Sequence, residues 1–261
     1  MSSHVETRRA NANFSNCPGG IWTLGFGILG FGILGFGISP REARAQTVPQ
    51  LVVIVDQTPI VMEAPPPFVE VSRILPDAYA KNSLALPKAN RLNAWFIPSL
   101  SLKEQLNEST ARYRSLQVQT LKEMEPVRYD AKSFAQLRAQ TLATHPMPQI
   151  TEAGAATLFN VLDLSPLAQE SGGQKILGMT DLGADTFTLC LAASTEGSDR
   201  RGGREIETSV ACVTYMLIKG KVILLAVTGP ELSAKELRNS MRLTREWIKL
   251  LRERNPTEKK N

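Results

Sequence analysis

The first 45 residues of this chain are predicted to be a cleavable export signal, because they have the three parts of a secretory signal peptide. A polar leader contains the pair Arg8-Arg9, an uncharged run covers Gly19–Ile38, and the small-x-small sequence Ala43-Arg44-Ala45 stands immediately before Gln46. A signal peptidase needs small side chains at the first and last of those three positions. We therefore expect cleavage before Gln46 and export of residues 46–261 to the periplasm or out of the cell.

The uncharged run Gly19–Ile38 also fits an uncleaved membrane anchor. As a helix it could cross a hydrocarbon core of about 30 Å, so a membrane-anchored structural protein of the inner membrane is an alternative interpretation. Glycine recurs through the run, and each glycine weakens a helix by about 1 kcal/mol relative to alanine, which favours a cleaved signal. The sequence Thr7-Arg8-Arg9 leaves twin-arginine export open beside general secretion.

The same run imitates a nucleotide-binding motif. The sequence Leu-Gly-Phe-Gly-Ile occurs three times in succession from Leu24 to Ile38. The pattern Gly-x-Gly-x-x-Gly therefore occurs twice. That motif binds a dinucleotide only as a turn between a strand and a helix, with an acidic residue about 20 positions later. Here the neighbouring residues are apolar and a cleavage site follows. We expect no cofactor.

Charge and length limit what the rest of the chain can be. The whole sequence has a net charge of +5. The first 45 residues contain four arginines and two glutamates and so contribute +2, which leaves about +3 for residues 46–261. Nucleic-acid binding needs a denser cluster of Lys and Arg, so nucleic acid is not an expected partner. We expect a strand segment with a Pro-rich connector over 46–67, one α+β domain over 68–255 and a disordered tail over 256–261.

Alternating and capping patterns predict the elements of the middle of the chain. The residues 112–124 alternate apolar side chains with Gln117 and Gln119, which is typical of a half-buried strand. Ser101 and Asp130 are predicted helix caps. The predicted strands are 51–55, 60–62, 90–98 and 112–124, and the predicted helices are 101–108, 130–144 and 151–162.

The C-terminal third predicts a three-stranded meander followed by an amphipathic helix. Strands at 186–193 and 209–218 are joined by a Gly- and Arg-rich loop, and Lys219-Gly220-Lys221 turns the chain into a third strand at 222–228. Ser233 then opens a helix with one apolar stripe, formed by Leu237, Met241, Thr244, Ile248 and Leu251. The whole pattern predicts an α+β fold: an antiparallel sheet with helices packed against it.

Basic residues crowd the last turns of this helix. They are Arg242, Arg245, Lys249, Arg252 and Arg254. Cations are favourable at the negative end of the helix dipole, so we interpret them as a solvated, dipole-matched surface rather than a nucleic-acid or lipid site.

The sequence contains no recognisable catalytic set. His145, beside Pro146, is the one histidine after the leader, which argues against a metal site and against Ser-His-Asp or Cys-His catalysis. Asp181 and Asp185 could form a carboxylate pair, but glycines and polar residues around them favour a turn. We therefore lean against an enzyme, although an enzyme with dispersed acidic and basic catalytic residues stays open.

Two cysteines remain after the leader, Cys190 and Cys212. If the strands on either side of the loop pair about Arg201, facing residue numbers sum to 402, which places Cys190 opposite Cys212. An even pair of cysteines in an oxidising compartment is a candidate disulfide. The alternative is two buried free thiols.

These observations favour an exported, non-enzymatic binding or envelope-associated protein. Its sheet or its basic helix would bind a protein partner or another envelope component, and the membrane would be reached only through an uncleaved Gly19–Ile38 run. The identity of the partner does not follow from the sequence.

Overall fold

The computed structural model describes residues 51–106, 113–144, 147–169, 171–198 and 204–256. The predicted leader, with Ala43, Ala45 and Gln46, lies outside these ranges, as does the tail from residue 257. His145 and the tip of the Gly- and Arg-rich loop also lie outside them.

The fold is α+β, as the sequence predicts. A seven-stranded antiparallel sheet has the order β3-β4-β5-β9-β8-β7-β6, and a separate hairpin consists of β1 and β2. The strands are β1 Leu51–Val55, β2 Thr58–Met62, β3 Phe68–Glu70, β4 Asn90–Pro98, β5 Ser115–Leu121, β6 Gln174–Thr180, β7 Thr186–Ser198, β8 Arg204–Ile218 and β9 Lys221–Thr228. The helices are α1 Pro76–Ala85, α2 Ser99–Leu106, α3 Ala131–Thr144, α4 Ala155–Val161 and α5 Ala234–Arg254.

Side chains cover both faces of the central strands. On one face, alternate residues of β5 and β9 such as Leu116 and Leu225 pack against Trp247 and Leu251 of α5. On the other face, Phe187 of β7 stacks on Tyr215 of β8 at a ring separation of 4.6 Å and lies 5.7 Å from Phe134 of α3. Strand β9 therefore reads as a continuous apolar run from Val222 to Val227, because neither of its faces meets solvent.

Helix α5 confirms the predicted apolar stripe. Leu237, Met241, Thr244, Ile248 and Leu251 are all at most 2% exposed. The Ser233 Oγ accepts a hydrogen bond from the Glu236 N–H at 3.1 Å, which satisfies one of the free donors at the helix start. Among the described residues, no helix combines the length and apolar character needed to cross a bilayer.

The hairpin shares its hydrophobic cluster with the large sheet. Val53, Val55, Ile60 and Met62 point inward and pack in the same cluster as Trp247 of α5. Its turn residues, Asp56 and Gln57, both have positive φ, at 41° and 66°. This is the conformation of the two-residue turn that best fits a twisted hairpin.

Several element boundaries differ from the predictions. Strands β7 and β8 extend to Ser198 and Arg204, because β-branched residues such as Thr195 and Thr208 continue the ladder into the predicted loop. Helix α2 begins at Ser99 rather than after Ser101, and α4 is shorter than the predicted 151–162.

Strands β3 and β6 and helix α1 were absent from the predictions. In β6 the pattern is interrupted by Gly178, which has φ +154° and sits at a register shift. A Cβ at Gly178 would lie 2.6 Å from the carbonyl oxygen of Pro148, so the close approach of that segment requires glycine.

Replacing core residues of α5 tests this packing. We expect Leu237→Ala or Ile248→Ala to lower the free energy of unfolding by about 2–5 kcal/mol, because both leave a cavity beneath the sheet. The matched control is Leu84→Ala, since Leu84 is 85% exposed and its loss should change stability little. Denaturant titration of the three variants measures the difference. Equal losses for Leu84 and Leu237 would contradict the packing.

Candidate functional site

The two cysteines face each other, as the register argument predicts. Cys190 on β7 pairs with Cys212 on β8, and the pairing continues without a shift from Thr186 to Ser198. The two Sγ atoms lie 2.6 Å apart. Both residues are free thiols in this structure.

The cysteine pair is closed off from solvent. Both residues are 0% exposed and lie beneath Leu237 and Met241 of α5. Burial raises the pKa of the Cys212 thiol well above its ordinary range, because desolvation penalises the thiolate. A buried thiol with a raised pKa is a poor nucleophile, so the pair does not resemble a catalytic cysteine site.

Asp181 and Asp185 do not converge on one point. Asp181 binds Arg138 of α3 and accepts the Gly183 N–H at 3.2 Å, as a turn aspartate does. Burial acts to raise the pKa of Asp181, but hydrogen bonds from Arg138 and Gly183 outweigh it and hold that pKa below its usual value. Asp185 binds Arg252 of α5. The turn interpretation agrees with these contacts.

Basic residues of α5 bind carboxylates of neighbouring segments. Arg245, Arg252 and Arg254 pair with acids from three different parts of the chain. The sequence interpretation of these arginines as a solvated surface missed their partners, which are distant in sequence. The pairs are Arg245–Glu152, Arg252–Asp185 and Arg254–Glu63.

A row of amide side chains crosses the sheet beneath α1. Gln119, 2% exposed, accepts from Asn90 Nδ2 at 2.8 Å and donates to Gln117 Oε1 at 2.7 Å. Gln117 Nε2 in turn lies 3.3 Å from Asn82 Oδ1. The prediction that β5 is half-buried is wrong at Gln119, because both its amide oxygen and its amide nitrogen have hydrogen-bond partners and so can be buried.

The outward edge of β2 is closed by side chains from distant segments. The two-residue turn makes Val55 and Thr58 a hydrogen-bonded pair, so the backbone groups of Pro59 and Val61 point away from β1. Pro59 has no N–H, and its carbonyl accepts from Lys219 Nζ at 3.0 Å. The Val61 N–H donates to Asn255 Oδ1 at 2.9 Å, and the Val61 carbonyl accepts from Asn255 Nδ2 at 2.8 Å.

Among the described residues, nothing covers the outward edge of β1. Val52 and Ile54 face Val61 and Pro59, so by the same alternation their N–H and C=O groups point away from β2. Within the described ranges, no hydrogen bond reaches these groups. The side chains of Val52 and Ile54 are 46% and 61% exposed.

This open edge is formed by the backbone and side chains of Val52 and Ile54 and is named the β1 edge. It is a candidate binding surface. Natural proteins usually protect edge strands with charge, proline or covering side chains. Strand β2 has a proline and covering side chains, whereas β1 has only aliphatic residues. Among the described residues, no three His, Cys, Asp or Glu side chains gather as metal ligands.

Comparisons with known proteins find only distant likenesses. No family model and no curated protein sequence match this chain. A solved structure of a mutant of the protein Mog1 is 14% identical, with 77% of this chain and 93% of that chain covered and a TM-score of 0.32. The Ran-binding protein Mog1p of Saccharomyces cerevisiae is 13% identical, with 76% and 86% covered and a TM-score of 0.28. Likenesses this distant leave the function to be argued from the residues themselves.

We predict that Cys190 and Cys212 are joined by a disulfide when the protein is purified from an oxidising compartment. Facing residues of an antiparallel pair have Cα separations of about 4.5–5.5 Å, which a disulfide can bridge. Thiol counting on denatured, non-reduced protein should find neither thiol free, while Cys190→Ala should expose one. Free thiols at both Cys190 and Cys212 in the unsubstituted protein would contradict the prediction.

Proposed function

We propose that this chain is an exported, non-enzymatic binding module of the bacterial cell envelope, and that it binds a protein partner at the β1 edge. The proposal of export rests on the signal-like sequence ending at Ala43-Arg44-Ala45. The single observation that carries the proposal of binding is the contrast between the closed edge of β2 and the open edge of β1.

Strand addition is a known mode of protein recognition. An extended segment pairs with an exposed edge, main-chain hydrogen bonds supply affinity, and alternate side chains supply specificity. The β1 edge has both components, because Val52 and Ile54 supply both the outward backbone groups and the exposed side chains. No residue of β1 is charged, so a partner strand would meet aliphatic side chains without burying an unpaired charge.

Two other interpretations predict different features of the protein. An enzyme with dispersed catalytic residues would be supported by carboxylates converging on one cleft, whereas Asp181 and Asp185 are held by separate arginines, Arg138 and Arg252. A membrane-anchored structural protein would retain the Gly19–Ile38 run. The mass of the exported chain separates this last interpretation from the proposal.

Photocrosslinking in cells tests the proposal. The full chain is expressed in a bacterial host with the photoreactive residue p-benzoylphenylalanine in place of Ile54, the cells are irradiated, and the periplasmic fraction is separated. We expect a covalent protein adduct of a chain that begins at Gln46, because a partner strand would lie against position 54. Intact mass gives the start of the chain.

The same probe at Val161 of α4 is the control, since Val161 is 73% exposed and lies outside the hairpin. Adding Val52→Lys to the chain that carries the photoreactive residue at position 54 should remove the adduct. Equal adducts at both positions, or none at position 54, would contradict binding at the β1 edge. Recovery of the uncleaved chain in the membrane fraction would favour the anchored protein.

A further inference from the structure

We propose that the partner at the β1 edge is a second copy of this chain, whose β1 pairs antiparallel with the first about a two-fold axis at Val53. The inference rests on the proposed function, which assigns a protein partner to that edge. Three features of the hairpin carry it: the symmetry of its free groups, the character of its side chains and the closure of its other edge.

The free backbone groups of β1 complement themselves. They come from Val52 and Ile54, which lie on either side of Val53. A two-fold axis at Val53 places Val52 opposite Ile54 of the second copy, and Ile54 opposite Val52 of the second copy. Each of these pairs exchanges two N–H···O bonds, so four hydrogen bonds form and every outward group is used. Such an interface presents the same patch from both copies.

Other registers use fewer of these groups. If Ile54 faced its own copy, Val52 would face Asp56, whose φ of 41° takes the backbone out of the extended conformation. If Val52 faced its own copy, Ile54 would face position 50, which precedes the described residues, so of the described outward groups only those of Val52 would be paired. Pairing about Val53 is therefore the register in which all the described outward groups of β1 find described partners.

The side chains also match across this axis. Val52 and Ile54, 46% and 61% exposed, lie on the solvent face of the hairpin. The pairing brings Val52 beside Ile54 of the second copy, and β-branched residues facing each other across strands stabilise a sheet. Because β1 carries no charged residue, no like charges oppose each other.

The closed edge of β2 limits the assembly to two copies. Pairing creates a four-stranded sheet with β1 strands inside and β2 strands outside. Both outer edges then carry Pro59 and the contacts of Lys219 and Asn255, so no free ladder of backbone groups remains for a third copy. The result is a closed dimer rather than a fibre.

Cysteine crosslinking between two variants tests the register. Exported chains carrying Val52→Cys and Ile54→Cys are purified, mixed and oxidised, and disulfide-linked dimer is measured on non-reducing gels. We expect strong crosslinking in the mixture, because the facing Cα atoms would be about 5.5 Å apart. Each variant alone should crosslink weakly, since identical positions lie diagonally across the axis, beyond the roughly 7 Å that a disulfide allows.

A mixture of Leu84→Cys and Val161→Cys measures random collision, because both positions are highly exposed and lie outside the hairpin. All four positions are on the surface, so the variants should fold, and circular dichroism checks this. Crosslinking of Val52→Cys alone that equals the mixture would overturn the register at Val53.

Crosslinking of the mixture no greater than the collision control would overturn the dimer. If the photoreactive residue at position 54 still captured a different protein, the second copy would be excluded while the proposed function would stand. If position 54 captured nothing, both proposals would fail together.

Discussion

The contact between the C-terminal half of α5 and the hairpin is the interaction on which the rest of the surface depends. Trp247 lies in the cluster shared by both sheets, meets Phe96 edge-on at 6.1 Å and donates its Nε1–H to the Glu63 carbonyl at 2.8 Å. Two turns later, Asn255 ends the helix and binds both backbone groups of Val61. One helix therefore packs under the large sheet, fixes the hairpin and closes one of its edges.

Because the outward edge of β2 is closed, strands can be added to the hairpin only at the outward edge of β1. An exposed aliphatic edge promotes aggregation when it can grow in both directions. Here Pro59, Lys219 and Asn255 stop growth on one side, so the other side is available for a single addition. Lys221 anchors the turn as well, because its buried ammonium binds Asp56 and the Glu125 carbonyl at 2.8 and 2.6 Å. The hairpin is thus held to the body of the protein at both its turn and its β2 edge.

The sequence predicted the parts of the fold that depend on local pattern. The meander, α5 and the facing of Cys190 and Cys212 followed from periodicity and from a loop centred on one residue. The buried amide of Gln119 and the glycine of β6 could not be predicted, because each depends on a neighbour from another segment. The hairpin was predicted, but the residues that close its edge are 160 to 194 positions away in sequence. The β1 edge was therefore visible only in three dimensions.

Residue-resolved amide hydrogen exchange on the purified protein tests the central claim most directly, namely that the outward edge of β2 is closed and that of β1 is open. The account predicts slow exchange at Val61 at every protein concentration, because Asn255 accepts its N–H. It predicts fast exchange at Val52 and Ile54 in dilute protein, slowing as the concentration rises and the second copy pairs with them. Slow exchange at Ile54 in dilute protein, or exchange at Val61 as fast as at Ile54, would contradict it.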